Sequence, residues 1–274
     1  MQSGKGVCEI IRALGLAGAN VTTPFKEDVI EYLDKLSPEA ERIAAVNTII
    51  NRNGELTGYN TDPAGITGSL FEAGIDPGQR KCLVIGAGGA GKAAALGLVN
   101  AGADVLIANR SALKAKDYAK NIGCSSTSLE DAITKLKSFD ILVLTIPPGI
   151  YPFNKDQIHP GHIIVDANYR SPSSTSLIDW FSCKIVKGDR WLLHQAVEAY
   201  RLFTGKTADA TIMEKGLGEE LDNQGLVIKI IKDDTINQLS FDNADMIIDG
   251  RGLDDEQINR IIDEEKDKAF TGKG

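Results

Sequence analysis

Three glycines mark a turn that is suited to binding a dinucleotide. Gly86, Gly88 and Gly91 have the spacing G-x-G-x-x-G, directly after the apolar run 81–85 and at the start of a segment rich in Ala and Leu. In such a turn the first glycine makes the tight bend, the second lets the backbone approach a pyrophosphate, and the third lets helix and strand pack closely. The N–H groups and the positive end of the helix then meet the anion. The pattern therefore predicts strand, glycine turn and helix of a dinucleotide-binding unit.

The next predicted strand, 103–108, ends at Asn109-Arg110-Ser111, which indicates the type of dinucleotide. An NAD site usually has Asp or Glu at this place, where the carboxylate binds the ribose 2′-OH. Arg110 instead offers a planar cation, which is suited to a 2′-phosphate. We therefore expect NADP as the cofactor.

Polar residues are also concentrated in four short stretches outside this unit: 20–26 (NVTTPFK), 45–48 (AVNT), 58–62 (GYNTD) and 188–195 (GDRWLLHQ). Each stretch lies at a predicted strand end or helix start, where side chains can point into a cleft. Lys26 and Asp62 are the groups among them that can exchange a proton. Taken alone, an early-helix lysine and an aspartate at a helix N-cap are typical of surface positions.

The elements that position these stretches change in character near 75–78. Before this point we predict a helix with its buried face through 29–36, and a hairpin whose strands 46–51 and 55–59 flank Asn53-Gly54. After it strand and helix alternate, as in a doubly wound parallel sheet. A long helix is predicted at 191–203. Two short runs, 226–231 and 246–248, then have the character of strands.

Composition excludes several classes of protein. The chain has 274 residues, 42% of them hydrophobic, and a formal net charge of −8, which argues against a general binder of nucleic acid or anionic membranes. No apolar run approaches the roughly 18 residues that a membrane span needs. The four cysteines are dispersed, and His159 and His162 have no Cys or carboxylate cluster nearby, so no metal site is indicated. We expect a cytoplasmic protein with reduced thiols.

The order and the residue types of these stretches resemble the shikimate dehydrogenase family. The family pattern is G-x-N-V-T-x-P-[FH]-K, A-V-N-T, G-x-N-T-D, G-A-G-G-A, N-R-[ST] and a late G-x-x-M-L-x-x-Q, and this chain matches it from about Gly18 to about Met213. The resemblance implies an α/β fold with an NADP-binding Rossmann domain and an α/β substrate domain, with the active site in the groove between them. It also implies reversible reduction of 3-dehydroshikimate to shikimate by hydride transfer, in chorismate and aromatic amino acid biosynthesis.

The resemblance assigns roles to individual residues. Lys26 and Asp62 match the catalytic pair. The expected substrate-binding residues are Thr22, Asn47, Thr61, Tyr169 and Gln195. The expected cofactor-binding residues are Gly86, Ala87, Gly88, Gly89, Ala90, Asn109, Arg110, Ser111, Lys114, Thr145, Ala167 and Gly188. No metal is implied. Trp191 stands where the family usually has Met, which affects the packing expected around the nicotinamide.

The implied division of the chain is a substrate domain at 1–75, an NADP-binding Rossmann domain at 76–205, a helix at 206–222 that returns toward the substrate domain, and an accessory extension at 223–274. The family normally begins with a β-α unit carrying a Ser-x-Ser pair for the substrate carboxylate, and no such pair precedes Gly18. The substrate domain is therefore expected to be incomplete.

Three explanations of this difference stay open. The sequence is a fragment or starts at a misassigned methionine, the segment 226–231 fills the vacant place in the sheet, or the chain binds NADP without turnover. Quinate as substrate, and a monomer against a homodimer, are also left open.

Overall fold

A mixed four-stranded sheet organises the first part of the protein. The computed structural model describes residues 4–22, 24–147, 151–168, 183–218, 228–231 and 246–249. The strands, in the spatial order β1-β3-β4-β2, are β1 (Gly18–Asn20), β2 (Lys35–Leu36), β3 (Thr48–Arg52) and β4 (Glu55–Tyr59). β3 and β4 are antiparallel, and Asn53 and Gly54 between them have φ of 55° and 92°. The predicted hairpin is confirmed.

The helices around this sheet differ from the prediction in one place. They are α1 (Gly4–Ala13), α2 (Phe25–Asp28), α3 (Pro38–Ile43) and α4 (Asp62–Glu72). The single helix expected through 29–36 is wrong, because α2 passes into a 3-10 turn at Val29–Tyr32 and β2 then pairs in parallel with β4. Ser37 starts α3 instead of ending a helix, since its hydroxyl accepts a hydrogen bond from the Ala40 N–H at 3.2 Å.

A doubly wound parallel sheet follows. Its strands are β5 (Lys81–Ile85), β6 (Asp104–Asn109), β7 (Ser125–Ser128), β8 (Ile141–Leu144), β9 (Ile163–Asp166) and β10 (Lys184–Val186), in the order β10-β9-β8-β5-β6-β7. This is the strand order of a dinucleotide-binding fold. The helices between strands are α5 (Gly89–Asn100), α6 (Ala112–Ile122) and α7 (Leu129–Thr134), and short 3-10 turns lie at Leu136–Ser138 and Lys155–Gln157. The predicted α/β class with a Rossmann-type sheet is confirmed.

Alternating side chains of β5 fill the two layers of the core. Cys82 and Val84 belong to the cluster beneath α5, and Leu83 and Ile85 belong to the cluster on the opposite face. All four are at most 1% exposed. A strand that is buried on both faces reads in the sequence as a continuous apolar run, which is why the period-two alternation was hidden.

Two further helices connect the sheets. α8 (Gly188–Thr204) begins three residues before the predicted start and packs along α4, and α9 (Ala210–Gly218) packs against α8. Arg190 of α8 forms ion pairs with Glu72 of α4 and Glu214 of α9. The return of the chain from the second sheet to the first is therefore fixed by both apolar packing and charge.

The last described strands, β11 (Ile228–Ile231) and β12 (Met246–Asp249), pair with each other in parallel as a separate two-stranded sheet. The hypothesis that 226–231 completes the four-stranded sheet is therefore wrong.

No helix in the described part of the chain is both long and apolar enough to cross a membrane. Cys8, Cys82, Cys124 and Cys183 are all free thiols. Burial is the main cause that raises their pKa values, to about 12 for Cys82 and about 11 for Cys124.

Candidate active site

Lys26 and Asp62 form an ion pair between two helix starts. Lys26 lies in the first turn of α2, and Asp62 is the first residue of α4, one position later than its predicted place at the N-cap. The Lys26 Nζ is 2.9 Å from the Asp62 Oδ2, and the two side chains are 26% and 9% exposed. The lysine therefore remains accessible from solvent, while the carboxylate is held inside.

Asn47 holds the other side of the carboxylate. Its Nδ2 is 3.0 Å from the Asp62 Oδ1, 3.0 Å from the Thr61 Oγ1 and 3.2 Å from the Gln195 Oε1. An amide nitrogen carries only two protons, so three acceptors compete for two hydrogen bonds. One of these acceptors is consequently available to a hydroxyl group of a ligand.

The side-chain oxygen of Asn47, Oδ1, fixes the orientation of this amide. It accepts the Thr61 N–H at 2.9 Å and the Thr48 hydroxyl at 3.1 Å. Asn47 and Thr61 are 6% and 2% exposed. A buried network whose members are satisfied holds its side chains in one arrangement.

Trp191 anchors α4 from the opposite side. Its indole N–H donates to the main-chain carbonyl oxygen of Asp62 at 2.9 Å. Its ring lies so close to Gly65 that a Cβ there would be 2.5 Å from the Trp191 Cδ1. Sequence reasoning treated Trp191 only as a departure from the family pattern. Its contact with Asp62 was not predicted.

A cavity of about 440 Å³ joins residues of both sheets. Six of the expected residues line it: Thr22, Lys26, Asn47, Thr61, Asp62 and Gln195. Three residues expected at the cofactor, Ala90, Ala167 and Gly188, line the same cavity from the side of the parallel sheet.

Sequence reasoning missed other residues that line this cavity: Asn20, Val21, Thr48, Trp191, Leu192, Ala196 and Ala199. Their place in the sequence could have identified five of them, because these five belong to the polar stretches themselves: Asn20, Val21, Thr48, Trp191 and Leu192. A larger cavity of about 630 Å³ opens between α3, α4, α5 and α8, and neither Lys26 nor Asp62 lines it.

The glycine turn is built as its spacing predicts. Gly86 has φ of 114°, and a Cβ there would be 2.5 Å from the Thr145 Oγ1. A Cβ on Gly91 would be 2.1 Å from the Gly86 carbonyl oxygen, so the helix can approach the strand only with glycine at this place. Gly88 and Gly89 face open space, with no atom within 4 Å of a Cβ built there. The start of α5 is therefore accessible to an anion.

Thr145 packs against this turn. Its hydroxyl donates to the Ile85 carbonyl oxygen at 3.0 Å, and it does not line the 440 Å³ cavity. Thr145 follows Leu144 of β8 and Ala167 follows Asp166 of β9, so the two residues lie at the carboxyl ends of paired strands. A Cβ on Gly188 would be 2.8 Å from the backbone of Asn168, so a larger residue there would push α8 away from the end of β9.

The residues expected at the 2′-phosphate lie at the carboxyl end of β6. Asn109 donates from its amide to the Ser111 carbonyl oxygen at 3.3 Å, and Ser111 caps α6 by accepting the Lys114 N–H. Arg110 and Lys114 are exposed, and neither forms an ion pair with the residues that the structure describes. The glycine turn lies beside this end of β6, since the Gly86 N–H donates to the Ala108 carbonyl oxygen at 2.9 Å. Tyr169 lies outside the described residues.

The described residues contain no group of three His, Cys, Asp or Glu side chains that could hold a metal ion. The polar side chains that line the cavity carry one ammonium, one carboxylate, and amide, hydroxyl and indole groups.

Three family models match the chain. They are described as the shikimate dehydrogenase substrate binding domain, at residues 2–49, shikimate / quinate 5-dehydrogenase, at 71–163, and the shikimate 5'-dehydrogenase C-terminal domain, at 192–215. The matches include Lys26, the glycine turn and Gln195, which lie in three different parts of the chain. They follow the order in which the motifs were found.

Individual relatives agree with these models. The chain is 36% identical to shikimate dehydrogenase (NADP(+)) of Moorella thermoacetica over 229 residues, which cover 77% of each chain. The crystal structure of shikimate dehydrogenase from Aquifex aeolicus has a TM-score of 0.71 at 33% identity, and the match covers 78% of this chain and 82% of that one. Shikimate 5-dehydrogenase from Thermus thermophilus, in complex with NADP(H) and shikimate, has a TM-score of 0.67 at 32% identity and covers 77% and 81%. The chain therefore belongs to the shikimate dehydrogenase family.

Proposed function

We propose that the protein catalyses the NADP-dependent, reversible reduction of 3-dehydroshikimate to shikimate, a step in chorismate and aromatic amino acid biosynthesis. The observation that carries this proposal is the Lys26–Asp62 ion pair, with 2.9 Å between Nζ and Oδ2, in a cavity that Ala90, Ala167 and Gly188 also line. A proton donor is thereby placed beside the wall that the dinucleotide-binding sheet contributes.

The residues at the second sheet fit a dinucleotide. The open backbone at Gly88 and Gly89 suits a pyrophosphate, since the N–H groups of the first helical turn have no side chain to cap them. We assign the phosphates to residues 86–90, and the 2′-phosphate to Arg110 with Asn109, Ser111 and Lys114. We assign the nicotinamide to the side of the cavity at Thr145, Ala167 and Gly188. When bound, the dinucleotide donates or accepts the hydride.

Lys26 supplies the proton that this reaction needs. Reducing a ketone to an alcohol adds one hydride to carbon and one proton to oxygen, and Lys26 gives its proton to the carbonyl oxygen in this direction and removes it in the reverse one. Asp62 orients the ammonium group through their ion pair. Because the Asn47 amide already occupies the Asp62 Oδ1, the carboxylate is held in one orientation while it accepts a hydrogen bond from a substrate hydroxyl.

The remaining polar groups suit a substrate with several hydroxyl groups. Thr22, Asn47, Thr61 and Gln195 line the cavity, and we propose that they bind the hydroxyl groups together with Tyr169. An analogue that lacks one hydroxyl would leave a buried amide or hydroxyl unpaired, which sites of this kind discriminate against strongly.

Two related functions stand beside this one. Quinate as substrate is supported by the match to the shikimate / quinate 5-dehydrogenase model. NADP binding without turnover is the second alternative, and the assay below separates it from catalysis.

We further propose the domain division 1–75, 76–205, 206–222 and 223–274; the separate four-stranded and six-stranded sheets support the boundary between the first two units. A cytoplasmic location and a monomer or homodimer complete the proposal.

The test is an assay of NADP⁺ reduction with shikimate, and in parallel with quinate. Lys26→Ala and Asp62→Asn are each expected to lower kcat by about 100-fold or more, because a positioned acid–base group contributes roughly that factor. Lys35→Ala, which removes an exposed lysine of β2, is the matched control and is expected to keep full activity.

Lys26→Ala with unchanged kcat would remove Lys26 from the mechanism. A wild-type protein that binds NADPH but oxidises neither shikimate nor quinate would support the non-catalytic function.

A further inference from the structure

Lys92 is a buried lysine for which neither the fold nor the proposed reaction accounts. It lies in the first turns of α5, directly after Gly91 of the glycine turn, and its side chain is 3% exposed. A buried ammonium group loses its hydration, so it is found where a charge or a ring compensates. The contacts of Lys92 should therefore indicate what it does.

Two groups compensate the charge, and they belong to the two different sheet domains. The Lys92 Nζ lies 4.5 Å over the centre of the Tyr118 ring, which belongs to α6 of the parallel-sheet lobe. It is also 3.3 Å from the Glu27 Oε1, which belongs to α2 of the other lobe. Among the described residues Glu27 is the only carboxylate within ion-pair distance of Lys92. Tyr118 thus holds the ammonium on its own lobe, and Glu27 is reached across the groove.

The position of Glu27 gives this ion pair its significance. Glu27 follows Lys26 in α2, a helix of four residues without a side-chain hydrogen bond at its N-cap. A helix this short has little stability of its own and depends on tertiary contacts for its place. The ion pair therefore ties the helix that carries Lys26 to the helix whose first turn forms the dinucleotide site.

We propose that Lys92 is a positioning residue, which acts through Glu27 to hold Lys26 at the distance from Asp62 and the dinucleotide site that proton transfer requires. Lys92 does not touch the substrate in this proposal. Its ion pair joins α5 to α2, so it links the dinucleotide-binding helix to the placement of the proton donor. This inference rests on the proposed function for its effect on catalysis, but not for its effect on α2.

The experiment is a double-mutant cycle on the full chain. Lys92→Met and Glu27→Gln are each expected to lower kcat about tenfold, with the KM for NADP⁺ little changed, and the double variant should lose no more than either single variant. Lys92→Arg should retain most of the activity, because a guanidinium can make the same ion pair and ring contact. Glu31→Gln, which removes an exposed carboxylate of the adjoining 3-10 turn, is the matched control and should leave kcat unchanged.

Glu27→Gln keeps the test decisive if Lys92→Met folds poorly, since Glu27 is 67% exposed and its replacement leaves no cavity. A folded Glu27→Gln variant with wild-type kcat would overturn the proposal, and so would losses in the two single variants that add up in the double one. If Lys92→Met has the kcat and KM of the wild type and only its melting temperature is lower, Lys92 has a merely structural role.

Amide hydrogen exchange of α2 separates a failure of this inference from a failure of the proposed function. Exchange at residues 25–28 should increase in Lys92→Met and in Glu27→Gln, and not in Glu31→Gln. If the wild-type protein does not oxidise shikimate, the proposed function fails and this measurement alone decides the inference. Equal exchange in all variants would contradict it whatever the activity.

Discussion

Trp191 and Asp62 are joined by a hydrogen bond of 2.9 Å from the indole nitrogen to the main-chain carbonyl oxygen. The carboxylate of the same aspartate is held by Lys26 on one oxygen and by Asn47 on the other. Asp62 is therefore fixed at its backbone by α8 and at its side chain by Lys26 of α2 and by Asn47, which directly precedes β3. The long helix that follows the parallel sheet thereby contributes directly to the arrangement of the site.

Trp191→Phe tests this contact. Phenylalanine retains a ring against Gly65 but has no N–H group, so the buried carbonyl oxygen of Asp62 loses its partner. We expect the free energy of unfolding to fall by about 1–2 kcal/mol and kcat/KM to fall about five- to tenfold. Urea unfolding and steady-state kinetics measure the two effects. Tyr200→Phe, at an exposed position of the same helix, is the control and should change neither quantity.

A Trp191→Phe variant with wild-type stability and kcat/KM would show that the hydrogen bond does not hold Asp62.

Gly91→Ala tests the close approach of α5 to β5. The new Cβ would lie 2.1 Å from the Gly86 carbonyl oxygen, a backbone atom that cannot turn away, so helix and strand must separate. We expect a loss of about 1–3 kcal/mol in the free energy of unfolding, as for other overpacked positions, and weaker NADP⁺ binding. Gly89→Ala is the control, since its Cβ meets open space, and its unfolding should stay within about 0.5 kcal/mol. Equal stability of both variants would contradict the steric argument.

Arg110→Asp tests which group reads the 2′-phosphate. The substitution replaces an exposed cation at the carboxyl end of β6 by an anion, which repels a phosphate but can accept the ribose 2′-OH. Affinity for NADP⁺ should fall at least about tenfold more than affinity for NAD⁺. Calorimetric titration of both dinucleotides measures this, and Lys116→Asp, at another exposed position of α6, is the control. Equal losses for the two dinucleotides would show that Arg110 does not contact the 2′-phosphate.

The sequence predicted the parts of the protein whose structure is set by local chemistry. The glycine turn, the hairpin at Asn53-Gly54 and the parallel strands each depend on backbone conformation or on apolar runs within a few residues. The site residues in motifs were also brought together as expected, since Lys26, Asn47, Asp62 and Gln195 line one cavity.

What the sequence did not predict depends on contacts between distant residues. The segment 29–36 has helical spacing, but pairing with β4 makes Lys35–Leu36 a strand. The roles of Trp191 and Lys92 follow from partners 129 and 65 positions away. No local pattern distinguishes such a lysine or tryptophan from an ordinary one on a helix.

His162 gives the protein a stability that depends on pH. Its ring is fully buried and stacks on His159, with 3.6 Å between the ring centres, and its Nδ1 accepts the His159 N–H at 3.1 Å. Burial lowers the pKa of His162 below its ordinary value of 6.5, and charge on His159 adds to this effect, whereas the Leu136 backbone and Asp140 act in the opposite direction.

The direction of the pH dependence follows from the pKa values of His162 in the folded and the unfolded state. Below pH 6.5 the unfolded chain binds a proton at His162 while the folded protein does not, so acid favours the unfolded state. Stability is fully present above the unfolded pKa and is lost as the pH falls from there through the lowered folded pKa. Urea unfolding between about pH 8 and pH 5 should therefore show a steeper loss for the wild type than for His162→Asn, which keeps an acceptor near Nδ1 but does not titrate. Parallel curves for the two proteins would contradict the prediction, even if His162→Asn is less stable at every pH.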